Sequence, residues 1–216
     1  MISKENYSNI LSVLEKIYPS AKTELIYSNG FELLVAVVLS AQTTDKQVNK
    51  VTPRLFKQYP TPYLLGSASQ SSVEGLINSI GLYHNKSKNI IKLAQIIHEE
   101  YDDEIPSKKD DLLKLPGVGE KTASVVMGDY YQIPSLAVDT HVSRLAKRWD
   151  LVPNDASVSE VQQKLMKLTP KKDWISTHHR LILFGRYFCT ARSPQCPNCK
   201  LLKFCRYGKE RLKIDN

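Results

Sequence analysis

The sequence has no hydrophobic stretch that is long enough to cross a membrane. Its longest apolar run extends from Phe31 to Leu39 and is interrupted by Glu32, whereas a membrane-spanning helix needs about 20 apolar residues. The first six residues, MISKEN, also lack the apolar core of a signal peptide. These absences exclude a membrane-spanning protein and predict a cytoplasmic protein with no membrane partner.

Cysteine is absent from the first 188 residues, and the four cysteines of the chain form the spacing C-x6-C-x2-C-x5-C. They are Cys189, Cys196, Cys199 and Cys205. A reducing cytoplasm disfavours a disulfide, so closely spaced thiols predict a metal site. Zinc and a [4Fe–4S] cluster both accept four thiolates. The single C-x2-C pair, where zinc ribbons usually have two, favours iron–sulfur only slightly.

Internal repeats, low-complexity tracts and a second candidate β-strand are also absent. The run from Phe31 to Leu39 has strand propensity, but without a partner strand we expect a buried helix there. Elsewhere the apolar residues recur with helical spacing, and the chain predicts an all-α fold of about ten short helices. Helix-starting capping boxes are predicted at three pairs, namely Ser71 with Glu74, Ser107 with Asp110, and Ser157 with Glu160.

Positive charge is concentrated near the C-terminus. The chain has 30 Lys and Arg against 22 Asp and Glu, and residues 171–216 contain eleven of the bases and three of the acids. That segment therefore carries the whole net charge of +8. Such an excess is typical of nucleic-acid binding, although a solubilising surface without a partner explains the charge equally well.

A glycine-rich turn, LPGVGEKTA at residues 115–123, separates two apolar helical segments. We expect one helix at Leu112–Leu115 and another that starts after the turn. Unpaired amides at a helix start, together with the positive end of the helix dipole, form a phosphate-binding site. The pattern favours a helix–hairpin–helix in which Gly117, Val118 and Gly119 contact the DNA backbone. A tight αα-corner is the alternative.

Lys121 lies in the first turn of the second helix. An ATP-binding P-loop is excluded, because Glu120 separates Gly119 from Lys121 and the preceding segment is helical. The positive end of the dipole disfavours the ammonium form, and a neutral lysine amine is a nucleophile. A lysine that contacts phosphate or solvent is the commoner alternative.

Asp139 follows Lys121 by 18 residues, directly before a helix predicted at Thr140–Trp149. Its position is that of an N-cap. A carboxylate that faces Lys121 would also accept a proton or stabilise positive charge on a sugar, and the two roles are compatible. His141 has three possible roles: binding phosphate, orienting Asp139, or packing.

These motifs, in this order, resemble the endonuclease III family of DNA glycosylases. The resemblance includes LSAQTTD at residues 39–45 and GLY at residues 81–83, and it covers nearly the whole chain. It implies an all-α fold with two helical lobes. Residues 23–134 would form a six-helix barrel with the helix–hairpin–helix, and residues 1–22 and 135–216 would form a [4Fe–4S] cluster lobe built from both termini.

The resemblance implies an enzyme of base-excision DNA repair, a DNA N-glycosylase with abasic-site lyase activity. Its partner would be double-stranded DNA that contains damaged pyrimidines or abasic sites. The enzyme would excise oxidised pyrimidines and cleave the strand by β-elimination through a lysine Schiff base. We expect a monomer that associates with the bacterial nucleoid.

The resemblance also assigns roles to residues. Lys121 and Asp139 match the catalytic residues of the family, and Gln42 and Leu82 match the positions that fill the gap left by an everted nucleotide. The four cysteines match the ligands of the [4Fe–4S] cluster. A non-catalytic DNA-binding module with a structural zinc is the competing class of protein.

Overall fold

The computed structural model describes residues 2–214, and over that range the chain is helical and contains no strand. The predicted all-α class is therefore confirmed. None of the helices in this range combines the length and the apolar character needed to cross a bilayer. The α-helices are α1 (Lys4–Ile17), α2 (Gly30–Leu39), α3 (Asp45–Gln58), α4 (Pro62–Gly66), α5 (Gln70–Ile77), α6 (Tyr83–Tyr101), α7 (Lys109–Leu112), α8 (Glu120–Asp129), α9 (Thr140–Arg148), α10 (Val158–Leu168), α11 (Trp174–Tyr187) and α12 (Arg206–Leu212). Short 3₁₀ helices lie at Lys171–Asp173, Cys196–Asn198 and Leu202–Phe204.

Polar side chains that accept an amide hydrogen bond mark many of the helix starts. One of the three predicted capping boxes is confirmed, at the start of α10: the Glu160 amide donates to Ser157 Oγ over 3.2 Å, and the Ser157 amide donates to Glu160 Oε2 over 2.8 Å. The other side-chain caps are Ser3, Asn29, Thr44, Thr61, Ser69, Asp139 and Cys205.

The other two predicted capping boxes are wrong. Helix α5 begins after Ser69, two residues before the expected cap at Ser71. The partner expected there, Glu74, instead accepts hydrogen bonds from His84 and Ser87 on α6. Helix α7 begins one residue later than expected, so its cap position is Lys108 and not Ser107, and Lys108 makes no side-chain cap.

Residues 24–133 form one compact unit. Its central helix is α2, in which every residue except Glu32 is buried. The expected buried helix at Phe31–Leu39 is therefore confirmed in place of a strand. A helix that is apolar on all sides is stable only when other helices surround it, and the core around α2 takes in buried residues from α3, α5, α6 and α8.

A second compact unit joins the residues before position 24 to those from position 134 onward. Helix α1 buries Tyr7, Ile10 and Leu14 in this core. The Tyr7 hydroxyl is 2.9 Å from Thr169 Oγ1, and burial raises the pKa of Tyr7 to about 12. Arg180 on α11 donates to the Tyr18 carbonyl, so both ends of the chain contribute to one core.

Candidate functional site

The glycine turn of the unit 24–133 connects α7 to α8. Gly117 has a φ of +80°, and a Cβ there would lie only 3.0 Å from Val38 Cγ1. Glycine is required on both grounds, since other residues rarely adopt this φ and the site lacks space. The helix predicted at Leu112–Leu115 ends earlier, at Leu112.

The amides at the start of α8 are available for a ligand. Gly119 is the N-cap of α8 and offers no side chain, so no cap side chain occupies the first-turn amides. The Val118 amide, which was expected to contribute to the phosphate site, already has a partner. The Val118 amide donates to the Leu115 carbonyl over 3.1 Å and closes the turn, so this amide is already used.

Lys121 is the second residue of α8 and its side chain is exposed. Within residues 2–214 the structure records no hydrogen bond or ion pair of its amine. The neighbouring Glu120 is instead paired with Lys109, at 2.5 Å between Oε2 and Nζ. An exposed amine without a partner, at the positive end of a helix, is free to contact an anionic substrate.

Gln42 and Leu82 lie in two loops of the same unit, and both have left-handed backbone conformations. Gln42, between α2 and α3, has a φ of 55°, and Leu82, directly before α6, has a φ of 59°. Both residues are exposed, and 54% of the Leu82 surface is accessible to solvent. A left-handed conformation costs a non-glycine residue about 1–2 kcal/mol, so the surrounding structure must hold both loops.

Lys86 is a buried lysine that the sequence did not single out. Only 5% of its surface is exposed, and its Nζ donates to Thr43 Oγ1 over 2.7 Å. Burial lowers the pKa of Lys86. The first turn of α6 is also held by Glu74, whose Oε1 lies 2.9 Å from His84 Nδ1.

Asp139 lies in the second unit and is half-buried. Its Oδ1 accepts the Val142 amide over 2.9 Å, so the N-cap role predicted for this residue is confirmed. Helix α9 ends at Arg148, one residue before the expected end. The second carboxylate oxygen of Asp139, Oδ2, has no recorded partner within residues 2–214 and remains an acceptor.

His141 is half-buried between α9 and α11. Its Nδ1 lies 3.1 Å from Arg144 Nη2, and a Cβ at Gly185 would lie 2.9 Å from His141 Cβ. Burial lowers the pKa of His141, against the opposing effect of Asp139. These contacts favour the packing role among the three considered for His141.

The four cysteines line one pocket in the second unit. Cys205 caps α12, where its Sγ accepts the Gly208 amide over 3.3 Å. Burial raises the pKa of Cys205 to about 11. Among residues 2–214, no group of three or more His, Cys, Asp or Glu is placed to hold a single metal ion.

Arg148 binds the loop that carries Cys189. Its Nη1 donates to Cys189 Sγ over 3.1 Å and to the Thr190 carbonyl over 2.8 Å. Its guanidinium also lies 4.2 Å from the ring centroid of Tyr207. The sequence did not single out Arg148, although Arg144 and Arg148 have the i, i+4 spacing that places two side chains on one helix face.

The basic residues between the cysteines differ in their surroundings. Lys200 and Lys203 are exposed. Arg206 is paired, with its Nε 2.6 Å from Glu210 Oε1 and its Nη1 3.9 Å from Asp150 Oδ1. Arg206 is therefore less available to an external anion than the two lysines.

Residues 35–171 match the family model described as HhH-GPD superfamily base excision DNA repair protein. The endonuclease III of Bacillus subtilis (strain 168) is 50% identical over 211 residues, which cover 96% of each chain. A solved non-covalent endonuclease III–DNA complex matches with a TM-score of 0.96 and 50% identity, over 99% of this chain and 100% of that chain. A trapped endonuclease III–DNA covalent intermediate matches with a TM-score of 0.95 and 50% identity, over 98% of this chain and 100% of that chain.

The helical fold and its glycine turn, with this family match, define a base-excision repair enzyme, a DNA glycosylase with abasic-site lyase activity. Within that class, the chain belongs to the endonuclease III family. The resemblance seen in the sequence is confirmed, and the competing class of a non-catalytic DNA-binding module is excluded. The roles of the individual site residues stay predictions.

Proposed function

We propose that this enzyme excises oxidised pyrimidines from duplex DNA and then cleaves the strand at the resulting abasic site, with Lys121 as the nucleophile. The observation that carries the assignment is the exposed Lys121 amine, which lies in the first turn of α8 and has no recorded partner among residues 2–214. The match to a trapped covalent endonuclease III–DNA intermediate supports a covalent route.

In this mechanism the Lys121 Nζ lone pair forms a bond to the sugar C1′ as the bond from C1′ to the base breaks. The base leaves with the electron pair of the broken C1′–base bond and takes up a proton. Opening of the sugar ring gives a protonated Schiff base between Nζ and C1′. Loss of a C2′ proton then expels the 3′ phosphate by β-elimination, and water hydrolyses the Schiff base to release the enzyme.

Asp139 would supply the carboxylate that this chemistry needs. Its Oδ1 caps α9, while Oδ2 remains available as an acceptor. A carboxylate can take a proton from an attacking amine, and it can stabilise the positive charge that develops on the sugar. The cap holds the carboxylate in place, so the structural role supports the catalytic one.

The DNA-contacting residues would act through their backbone or their exposed side chains. The Gly117–Gly119 turn and the start of α8 would bind a phosphate through the amides that remain free beside Val118. The nucleotide must leave the stack before its sugar can be attacked. Leu82, which is apolar and exposed, would fill the gap, and Gln42 would offer hydrogen bonds to the orphaned base. His141 would support the start of α9.

The cysteine site fits a [4Fe–4S] cluster. Cys189, Cys196, Cys199 and Cys205 line one pocket, and hydrogen-bond donors from Arg148 and Gly208 reach two of the sulfurs. Such donors are suited to thiolates that carry negative charge. The bound cluster would supply cross-links and fixed charge to the 189–205 segment, and no step of the excision chemistry requires an electron from it.

We further propose that the enzyme works as a monomer in the bacterial cytoplasm, on nucleoid DNA. Its proposed substrate is damaged duplex DNA, and the proposed chemistry uses one lysine and one aspartate of a single chain. Light scattering of the purified enzyme tests the monomer, since a stable dimer at assay concentration would contradict it.

Reductive trapping tests the nucleophile. We expect borohydride to fix the wild-type enzyme covalently to duplex DNA that contains thymine glycol, because it reduces the Schiff base to a stable amine. The Lys121→Gln variant should give no covalent complex. Lys114→Gln, in which an exposed lysine of the same hairpin is changed, is the matched control and should trap normally. A Lys121→Gln enzyme that still traps would refute the assignment.

A further inference from the structure

Lys86 joins the two loops that carry Gln42 and Leu82. It lies one helical turn after Leu82, and its amide donates to the Leu82 carbonyl over 3.0 Å. Its ammonium donates to Thr43 Oγ1 over 2.7 Å, and Thr43 is the neighbour of Gln42. The Lys86 side chain therefore links α6 to the loop between α2 and α3.

Both loops need such support, because both gap-filling residues have unfavourable backbone conformations. The φ angles are 55° at Gln42 and 59° at Leu82. Non-glycine residues persist in this region only where the surrounding structure determines their conformation. On the Gln42 side, the Thr43 amide donates to the Ser40 carbonyl over 3.0 Å, and the Lys86–Thr43 hydrogen bond then fixes this loop against α6.

The positive charge of Lys86 is not needed to fill the space that its side chain occupies. Only 5% of the residue is exposed, and burying an ammonium is unfavourable unless its hydrogen bonds compensate. An apolar side chain of similar length would fill the same space without that cost. Within residues 2–214 the recorded side-chain partner of Lys86 is Thr43, so the hydrogen bond to Thr43 is the feature that the lysine provides.

We propose that Lys86 is a positioning residue that fixes Gln42 and Leu82 relative to each other, so that the two side chains enter the gap in the duplex as one unit. This inference rests on the gap-filling roles proposed above for Gln42 and Leu82. It assigns to a buried lysine on α6 a function that matters only when the substrate is duplex DNA, because only a duplex has a base stack to fill and an orphaned partner base to stabilise.

A double-mutant cycle on two substrates tests the inference. Lys86→Met removes the donor and Thr43→Val removes the acceptor, and both variants keep the volume of the side chain. The rate of borohydride trapping is measured on a duplex with an abasic site and on the same oligonucleotide as a single strand. On the duplex, we expect each single variant and the double variant to be slower by about tenfold, the loss typical of one charge-assisted hydrogen bond. The losses should not add, since both changes break one contact.

On the single strand, we expect all three variants to trap within about twofold of wild type, because no gap has to be filled. Additive losses on the duplex, an unchanged duplex rate, or an equal loss on both substrates would overturn the inference. Lys92→Met, which removes an exposed lysine from the same helix, is the matched control and should leave both rates unchanged.

Two further comparisons keep the test decisive. If Lys86→Met does not fold, Thr43→Val and Thr43→Ser provide the answer, because Thr43 is only half-buried and Ser keeps the hydroxyl that accepts the hydrogen bond. Thr43→Ser should retain the wild-type rate on the duplex, and Thr43→Val should be slower by about tenfold. Equal rates of the two variants would overturn the inference. A wild-type enzyme that traps on neither substrate would instead refute the proposed nucleophile, so the two failures are distinguishable.

Discussion

The proposed nucleophile and gap-filling residue of one compact unit differ in their surroundings from the cysteines of the other. In the unit 24–133, Lys121 and Leu82 are exposed, and no partner of the Lys121 amine is recorded within residues 2–214. In the other unit, the Cys189 segment is bound by Arg148, and Cys205 is bound by the Gly208 amide. The difference follows from what each group must do. Under the proposed roles, a nucleophile or a gap-filling residue must be free to contact DNA, whereas thiols that hold a cluster must be fixed in position.

The largest effect is expected from loss of a cysteine. We expect Cys205→Ser to lose the broad visible absorbance of an iron–sulfur cluster and to unfold at a much lower temperature, because this sulfur also caps α12. Absorbance spectra and thermal unfolding measure both effects. Asn198→Ser, an exposed change in the same loop, is the control. A wild-type enzyme that is colourless and binds zinc after iron-replete expression would contradict the cluster.

An intermediate effect is expected at Asp139, which has both a helix-capping role and a proposed catalytic role. Asp139→Asn should slow base release about a hundredfold, within the range of general acid–base catalysis. Its unfolding temperature and DNA affinity should stay close to those of wild type, because Asn caps a helix as well as Asp does.

Single-turnover release of thymine glycol measures the Asp139 effect. Asp155→Asn, which makes the same chemical change at an exposed residue, is the control. Unchanged base release in Asp139→Asn would leave Asp139 with the capping role alone.

The smallest effect is expected from the exposed bases around the cysteines. Each phosphate contact contributes about 0.9 to the slope of log affinity against log salt, so the double variant Lys200→Gln/Lys203→Gln should reduce that slope by about 2. Fluorescence anisotropy across a salt series measures it. The pair Lys4→Gln/Lys16→Gln on α1 is the control, and an unaltered slope in the first variant would show that its lysines do not contact DNA.

The helix pattern was partly predictable. The apolar run at Phe31–Leu39 identified a buried helix, because the rest of the sequence offers no second strand to pair with it. The Ser157–Glu160 spacing identified a capping box, because that motif depends on two residues only three positions apart. The start of α6 was not predictable. This helix begins after Leu82 in a left-handed conformation, which no local preference of leucine favours, since contacts from elsewhere in the fold hold it.

The sequence by itself determined the family, the place of Lys121 at a helix start, the cap at Asp139 and the spacing of the four cysteines. Each of these rests on short motifs, or on the order of such motifs along the chain. Only the tertiary structure decided which distant side chains support them: Lys86 reaches Thr43 across 43 positions, and Arg148 reaches Cys189 across 41. The physical reason is that such hydrogen bonds form only after helix packing has brought the two residues together, and no periodicity in the sequence records that approach.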